Sequence, residues 1–181
     1  MTLSKTGYYG DYVIYAMVIA ALFCAAALLD TPAAWVRWVV AFAFGLMAWT
    51  VLEYVLHRFA FHGLPIVSDM HGAHHDAPRA LIGTPTWLSL SVIALGVFLP
   101  AWRLASLNVA SGLAGGIMLG YLWYGTLHHA IHHGRPRLIA TRARVAARRH
   151  FRHHGRGAHG NFGVTTRLWD ALLGTELPRS P

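Results

Sequence analysis

The chain alternates between long apolar segments and short segments that are rich in histidine and arginine. Four apolar stretches approach the roughly 20 residues that a membrane-spanning helix needs. They cover about residues 12–29, 33–56, 87–104 and 107–127. We therefore predict an all-α fold, an integral membrane four-helix bundle that carries a helical, histidine-rich cap on its cytoplasmic side. The cap would consist of residues 57–86 and 128–181, and we expect the whole chain, 1–181, to form a single membrane domain.

Composition supports a membrane protein. Apolar residues make up 55% of the chain and charged residues only 12%, whereas soluble domains usually carry about 25% charged residues. The first apolar stretch lies where a signal peptide would lie. However, Asp11 precedes it and no clear cleavage signal follows, so we predict a retained helix.

Charge predicts the orientation of the chain. Ten of the fifteen basic residues lie in the tail 134–181, and all ten are arginine. Short basic segments stay in the cytoplasm. With four spans, the N-terminus and the loop 58–85 would then lie on the same side as the tail. We therefore expect a multi-pass protein with both termini in the cytoplasm.

The net charge of +8 has more than one interpretation. Binding of nucleic acid fits poorly with membrane spans and clustered histidines, and we expect no nucleic-acid partner. Attraction of Arg142, Arg144, Arg148 and Arg149 to anionic membrane lipids is the simpler interpretation. Docking of an acidic electron-transfer protein could coexist with it.

Thirteen histidines are present, and twelve of them fall into four groups. The groups are HRFAFH with His57 and His62, HGAHH with His71, His74 and His75, HHAIHH with His128, His129, His132 and His133, and HFRHH with His150, His153 and His154. Neutral imidazole is the commonest metal-ligating side chain. Since one ion takes three to six ligands, so many clustered histidines indicate two metal ions. The groups lie at the ends of apolar segments, so the metals should lie at a membrane surface.

Several assignments stay open at this point. His128 and His132 form one i, i+4 pair and His129 and His133 form another, and helical geometry does not choose between them. Glu53 precedes His57 by one turn. It could accept the spare N–H of a ligating imidazole, or it could be an interfacial acid facing water. Asp170 has the same two interpretations, as an acceptor for a histidine or as an exposed helix acid.

Glycine spacing predicts packing within the bundle. Gly112, Gly116 and Gly120 recur every four residues in the fourth stretch, with Gly115 beside them. This small-xxx-small pattern lets membrane helices approach closely. After the fourth stretch, residues 138–154 are predicted to form an amphipathic helix. Asn161 and Gly163 are predicted to form a turn before a short apolar helix.

The order of the motifs H-x4-H, H-x2-HH, H-x3-H and H-x2-HH resembles the fatty acid hydroxylase/sterol desaturase superfamily of membrane di-metal enzymes. The segments LEYVLHRFAFH, HGAHHDAP, HHAIHHGRP and HFRHHGRGAHGNFGVTTRLWD are similar to its fatty acid 2-hydroxylase branch, from about Trp49 to Leu173. The resemblance implies that the metal ligands are His57, His62, His71, His74, His75, His128, His132, His150, His153 and His154. We expect His129, His133 and His159 not to be ligands.

The resemblance also implies an activity, namely O2-dependent hydroxylation of a lipid acyl chain near its carboxyl end, with C-2 as a candidate position. The cofactors would be two iron ions, which zinc can replace in a purified sample, and O2 would be the co-substrate. Clustered cysteines, a dinucleotide-binding loop and a CxxCH heme motif are all absent from the sequence. We therefore expect an external electron donor, a small heme or iron–sulfur carrier with its reductase.

Other functions remain to be separated from this one. The chain is as short as the bacterial-type carotenoid hydroxylases, whose histidine spacing is similar, and this keeps a carotenoid or sterol substrate open. We expect the protein to lie in a bacterial inner membrane. A membrane metal transporter is an alternative of a different class. It would need ligands along a path through the bilayer, whereas the histidines here are predicted to lie on one side.

Overall fold

The structure is a computed structural model that describes residues 2–28, 31–134 and 141–178. The described chain is helical, and its only β pairing is an isolated antiparallel bridge between Thr2 and Ile82. Eight α-helices are present in these ranges. They are α1 (Lys5–Ala27), α2 (Pro32–Val55), α3 (Pro65–Asp76), α4 (Thr86–Ile93), α5 (Leu99–Leu104), α6 (Leu107–His133), α7 (Thr141–His153) and α8 (Leu168–Leu172). Two π-helical turns, Leu56–Phe61 and Ala94–Phe98, continue α2 and join α4 to α5.

Small polar residues determine where the long helices begin. The Ser4 hydroxyl accepts a hydrogen bond from the backbone N–H of Gly7 at 3.1 Å, at the start of α1. Thr31 accepts from Ala34 at 3.2 Å at the start of α2. Such side chains satisfy the amide groups that the first turn of a helix leaves without partners.

The predicted membrane association is supported by the helices themselves. Among the described residues, three helical segments are long and apolar enough to cross a membrane: Lys5–Ala27, Pro32–Phe61 and Thr86–Leu104. Their apolar side chains point largely outward, and Met17, Phe44 and Leu95 are each more than 60% exposed. Apolar surface of this extent requires a non-aqueous neighbour. These three segments coincide with the first three predicted spans.

The fourth predicted span lies within α6, which is long enough to cross a membrane but is not among the three most apolar segments. Its lower hydropathy has a physical reason. Ala110, Ala114 and Ile117 are buried against protein, and a helix surrounded by other helices needs less lipid-facing apolar surface.

The glycines of α6 pack closely against α2, as their spacing predicted. A methyl group at Gly112 would lie 2.5 Å from the Trp38 carbonyl oxygen, and one at Gly116 would overlap the Phe42 carbonyl oxygen. The Trp38 indole N–H also donates to the Ser111 hydroxyl at 3.2 Å. The two helices are therefore held in one register by backbone proximity and by a hydrogen bond.

The chain forms two compact units. The first consists of Met1–Trp49 and Leu81–Leu122, and the second of Thr50–Ala80 and Trp123–Pro181. All thirteen histidines belong to the second unit. The core of that unit includes Leu127, Ile131 and Val164. The predicted amphipathic helix 138–154 is present as α7, Thr141–His153, whereas residues 138–140 and the side chain of Arg142 lie outside the described residues.

Candidate metal centre

The first histidine motif begins in a π-helical turn, Leu56–Phe61, that sequence reasoning did not predict, and His62 directly follows this turn. In an α-helix, residues five apart such as His57 and His62 would point about 140° away from each other. A π turn, with its i→i+5 hydrogen bonds, brings them nearly into line. Their rings stack with centroids 5.3 Å apart and planes 19° apart. The H-x4-H spacing is the signal that could have predicted this turn, because only a widened helix aligns both rings.

The ten predicted ligands come together in two groups of five. The coordinating nitrogens of each group all lie within 4.8 Å of one another. The first group consists of His57, His62, His71, His75 and His153, and the second of His74, His128, His132, His150 and His154.

Distances between ring nitrogens show how closely each group converges. In the first group, the Nε2 atom of His71 lies 3.1 Å from Nε2 of His57 and 3.0 Å from Nε2 of His75. In the second group, Nε2 of His150 lies 2.9 Å from Nε2 of His132 and 3.1 Å from Nε2 of His154. Two nitrogens bound at right angles to one ion at the usual 2.0–2.1 Å would lie about 2.9 Å apart. Each group therefore has the dimensions of a histidine site for a metal ion.

Unpartnered nitrogens support the same interpretation. The Nε2 atoms of His74 and His128 are buried, and neither has a hydrogen-bond partner among the described residues. A buried polar atom without a partner is costly. A metal ion between the rings would satisfy both atoms, so the residues present fit a metal in this group.

Helical periodicity divides neighbouring histidines between the two groups. On α3, His71 and His75 are one turn apart and join the first group, whereas His74 joins the second. At the end of α7, His153 joins the first group, whereas His150 joins the second together with His154, the residue that follows the helix. Each of these two helices therefore contributes to both groups.

Burial keeps these imidazoles neutral. Desolvation, followed by the proximity of other histidines, lowers the pKa of His74 to about 3 and that of His132 to about 4. Desolvation also lowers the pKa of His153 to about 4, although a hydrogen bond with the Gly160 carbonyl opposes this shift. At neutral pH these side chains are unprotonated, which is the form that binds metal ions.

Two histidines of the first group bind carbonyls of one loop. Nδ1 of His57 lies 2.5 Å from the carbonyl oxygen of Phe162, and Nδ1 of His153 lies 2.9 Å from that of Gly160. Because a carbonyl only accepts, each Nδ1 atom carries the proton and donates it. The Nε2 lone pair of each ring is then free for a metal ion.

Glu53 binds this same loop. Its side chain is 3% exposed, so the hypothesis of an interfacial acid facing water is wrong. One carboxylate oxygen accepts from the backbone N–H groups of Val164 at 2.6 Å and Thr165 at 2.9 Å, and the other accepts from the Thr165 hydroxyl at 2.5 Å. These contacts connect Glu53 to the histidines through the loop.

Asp170 binds the loop from the other end. It is fully buried, so the hypothesis of an exposed helix acid is also wrong. Its oxygens accept from the backbone N–H groups of Phe162 and Gly163, each at 2.9 Å, from the Thr175 hydroxyl at 2.8 Å, and from Arg149 at 2.9 Å. No imidazole is among its hydrogen-bond partners in the described chain, so Asp170 is connected to the histidines through the loop and not by the direct contact that was the other hypothesis.

The three remaining histidines lie outside both groups. His129 and His133 stack on each other with centroids 4.4 Å apart, and His159 is exposed.

The family model for fatty acid hydroxylases matches residues 42–175. A dihydroceramide fatty acyl 2-hydroxylase of Arabidopsis thaliana is 34% identical over 148 residues, which are 74% of this chain and 59% of the relative. A fatty acid 2-hydroxylase of Mus musculus is 35% identical over 76% of this chain and 39% of the relative. The chain thus spans about 59% or less of the length of these curated relatives.

A solved structure shares the fold. It is described as full-length Scs7p with only the hydroxylase domain visible. The match has a TM-score of 0.79 with 28% sequence identity, and it covers 98% of this chain and 69% of that one. The family model covers well over half of the chain, including all ten histidines of the two groups. The chain therefore belongs to the fatty acid hydroxylase family.

Proposed function

We propose that this protein is a membrane-bound di-iron enzyme that uses O2 to hydroxylate the acyl chain of a lipid, with C-2 as the position attacked. The observation that carries the proposal is the convergence of ten histidines in two adjacent groups of five. An all-histidine environment of this size suits iron, since imidazole is a common iron ligand. The relatives support the substrate class, because they are named as a fatty acyl 2-hydroxylase and a fatty acid 2-hydroxylase.

The two histidine groups would each hold one iron ion. Bound iron would supply the redox chemistry that activates O2, which no amino-acid side chain can provide. The chain's own residues bind and orient. The helices α3 and α7 hold both groups side by side, and the carbonyls of Gly160 and Phe162 fix the tautomers of His153 and His57.

We propose the finer membrane arrangement on the same basis. Four spans, with α6 as the fourth, would place the histidine-bearing segments in a cap on the cytoplasmic side, together with both termini. The arginine-rich tail supports this orientation. Residues 1–181 would act as a single membrane domain in a bacterial inner membrane, with membrane lipids against the exposed apolar faces.

The position of the centre also bears on the substrate. An active site at the membrane surface reaches carbons near a lipid headgroup most easily, because the rest of the acyl chain can stay among the apolar helices. Carbons near the carboxyl end of an acyl chain meet this condition. Electrons would come from an external small heme or iron–sulfur carrier with its reductase, because hydroxylation with O2 consumes reducing equivalents.

Mass spectrometry of lipids tests the proposal. Cells that express the protein should accumulate 2-hydroxy acyl lipids, and cells that express His153→Ala at an equal level should not. Hydroxylated carotenoids or sterols without any hydroxy-acyl product would reject the acyl substrate. Metal uptake into cells without any new hydroxylated lipid would instead favour a transporter.

A further inference from the structure

The loop of residues 160–166, termed the support loop here, contacts the two histidine groups unequally. Its carbonyls accept hydrogen bonds from His57 and His153, both of the first group. In the described part of the chain, none of the five histidines of the second group donates an Nδ1 proton to a protein acceptor. In particular, Nδ1 of His150 is buried and unpartnered. The two groups therefore differ in how firmly their rings are oriented.

Two buried carboxylates hold the support loop in place. Glu53 accepts from the backbone of Val164 and Thr165, and Asp170 accepts from that of Phe162 and Gly163. Both side chains are at most 3% exposed. Four consecutive amide groups are thus bound by carboxylate oxygens, and such charge-assisted hydrogen bonds are short and strong.

Asn161 and the segment after α8 complete this arrangement. Asn161 has a φ of 56°, a conformation that asparagine tolerates better than most residues. Its side chain donates to the carbonyl of Arg149 at 3.1 Å and accepts from the Leu177 amide at 3.1 Å. Gly160 packs so closely on this segment that a methyl group there would overlap the Thr175 carbonyl oxygen. The loop carbonyls consequently have little freedom to move away from the histidines.

We propose that Glu53 is a positioning residue that acts on the first histidine group through the support loop, which Asp170 also holds, so that the chain binds its two metal ions with unequal dependence on this loop. The proposal rests on the proposed function in assuming a metal ion in each group. Hydrogen-bond partners of metal-ligating histidines typically contribute about 10–100-fold in metal affinity. Loosening the loop should therefore weaken one of the two sites by such a factor and leave the other unchanged.

Glu53 is the better position for a test substitution, because Asp170 also binds Arg149, the neighbour of His150 in the second group. Glu53→Ala removes the acceptors of the hydrogen bonds from Val164 and Thr165. Glu53→Gln keeps an amide oxygen that can accept from Val164 and Thr165, so it should give an intermediate effect. Gly160→Ala displaces the loop by a different route and leaves Glu53 intact.

Co²⁺ titration of purified, metal-free protein in detergent tests the proposal, with the bound ions counted by visible absorption and elemental analysis. In Glu53→Ala and Gly160→Ala, the affinity for one equivalent of Co²⁺ should fall by about tenfold or more. The affinity for the other equivalent should stay at its wild-type value. Glu176→Gln, an exposed carboxylate, and Gly72→Ala, where a methyl group meets no atom within 4 Å, are the matched controls and should bind like the wild type.

The outcomes are distinct. Equal weakening of both equivalents in Glu53→Gln, a variant that keeps most of the contacts, would show a general structural role and overturn the proposal. Unchanged binding in all three variants would overturn it as well. A third outcome separates the two proposals: the wild type binds two Co²⁺ ions and the variants show the selective loss, but the iron-loaded wild type hydroxylates no lipid. This outcome would reject the proposed function and leave this inference standing.

Discussion

The rings of His75 and His154 stack with centroids 4.1 Å apart and planes 12° apart, although each belongs to a different histidine group. The two groups are therefore direct neighbours. No other side chain lies between these two rings in the described part of the chain. A reaction that needs both ions should then fail when either group is damaged.

One variant in each group tests this dependence. His153→Ala should lose one metal equivalent from the first group, and His74→Ala should lose one from the second. Each variant should lose essentially all of the proposed hydroxylase activity, because the proposed reaction uses both ions. Elemental analysis of the purified variants and product measurement by mass spectrometry check the two results together.

His159→Ala provides the control for these variants. His159 is exposed and belongs to neither group, so its removal should leave metal content and activity nearly intact. Full activity in His153→Ala would contradict the ligand assignment of the first group.

Acid should destabilise the metal-free protein. The ordinary histidine pKa of 6.5 falls to about 4 in His132 and His153 because burial disfavours the charged ring. Between these two values the unfolded chain binds protons that the folded chain does not, so stability falls as pH decreases through this range. Above pH 6.5 both states are neutral at these sites and the effect disappears.

Thermal unfolding of metal-free protein in detergent, followed between pH 8 and pH 4, measures this effect. The midpoint should be flat above pH 6.5 and should drop by several degrees toward pH 4. His159→Ala, at an exposed position outside both groups, should leave the shape of this profile almost unchanged. A midpoint that rises on acidification would contradict the burial of neutral imidazoles.

Sequence patterns predicted the broad features of the molecule for identifiable reasons. Apolar length predicts spanning segments because a bilayer has a fixed thickness. The spacing of the α6 glycines predicts close packing because only glycine permits backbone contact. Clustered histidines predict a metal centre because isolated surface histidines do not recur in four spaced motifs. Each of these features can be read from the residues of a single segment.

What the sequence did not predict depends on contacts between distant segments. One of the two hypotheses for Glu53 was a direct contact with a histidine, because His57 is one helical turn away. Instead it binds the amides of Val164 and Thr165, more than 100 positions along the chain. Helical periodicity describes neighbours on the same helix, and it carries no information about a loop that packs against that helix. The division of histidines between the two groups likewise depends on how α3 and α7 face each other.

Close packing between α2 and α6 makes a stability prediction. Gly116→Ala adds a methyl group that overlaps the Phe42 carbonyl oxygen, a backbone atom that cannot rotate away. Overpacking of this kind typically costs about 1–3 kcal/mol. The thermal midpoint should fall, whereas Gly96→Ala, where a methyl group meets no atom within 4 Å, should not lower it comparably. Equal midpoints for the two variants would show that α2 and α6 are not in close contact.

Metal exchange should separate folding from catalysis. Removing metal from the protein with a chelator should lower its thermal midpoint, because the buried nitrogens of His74 and His128 are left without partners. Zinc fits tetrahedral or higher nitrogen coordination but has no redox chemistry. Adding Zn²⁺ to the metal-free protein should therefore restore the midpoint without restoring activity.

Ferrous iron should restore both properties. The same metal-free preparation is loaded anaerobically with either Fe²⁺ or Zn²⁺. Thermal unfolding is then measured on one part of each sample, and acyl hydroxylation is measured on the other after addition of O2 and an electron donor. Activity in the zinc-loaded protein would exclude a redox role for the centre and with it the proposed hydroxylase. In a second outcome, iron restores the thermal midpoint without restoring activity with any electron donor tested. That result would keep the two histidine groups as metal sites and would reject the reaction assigned to them.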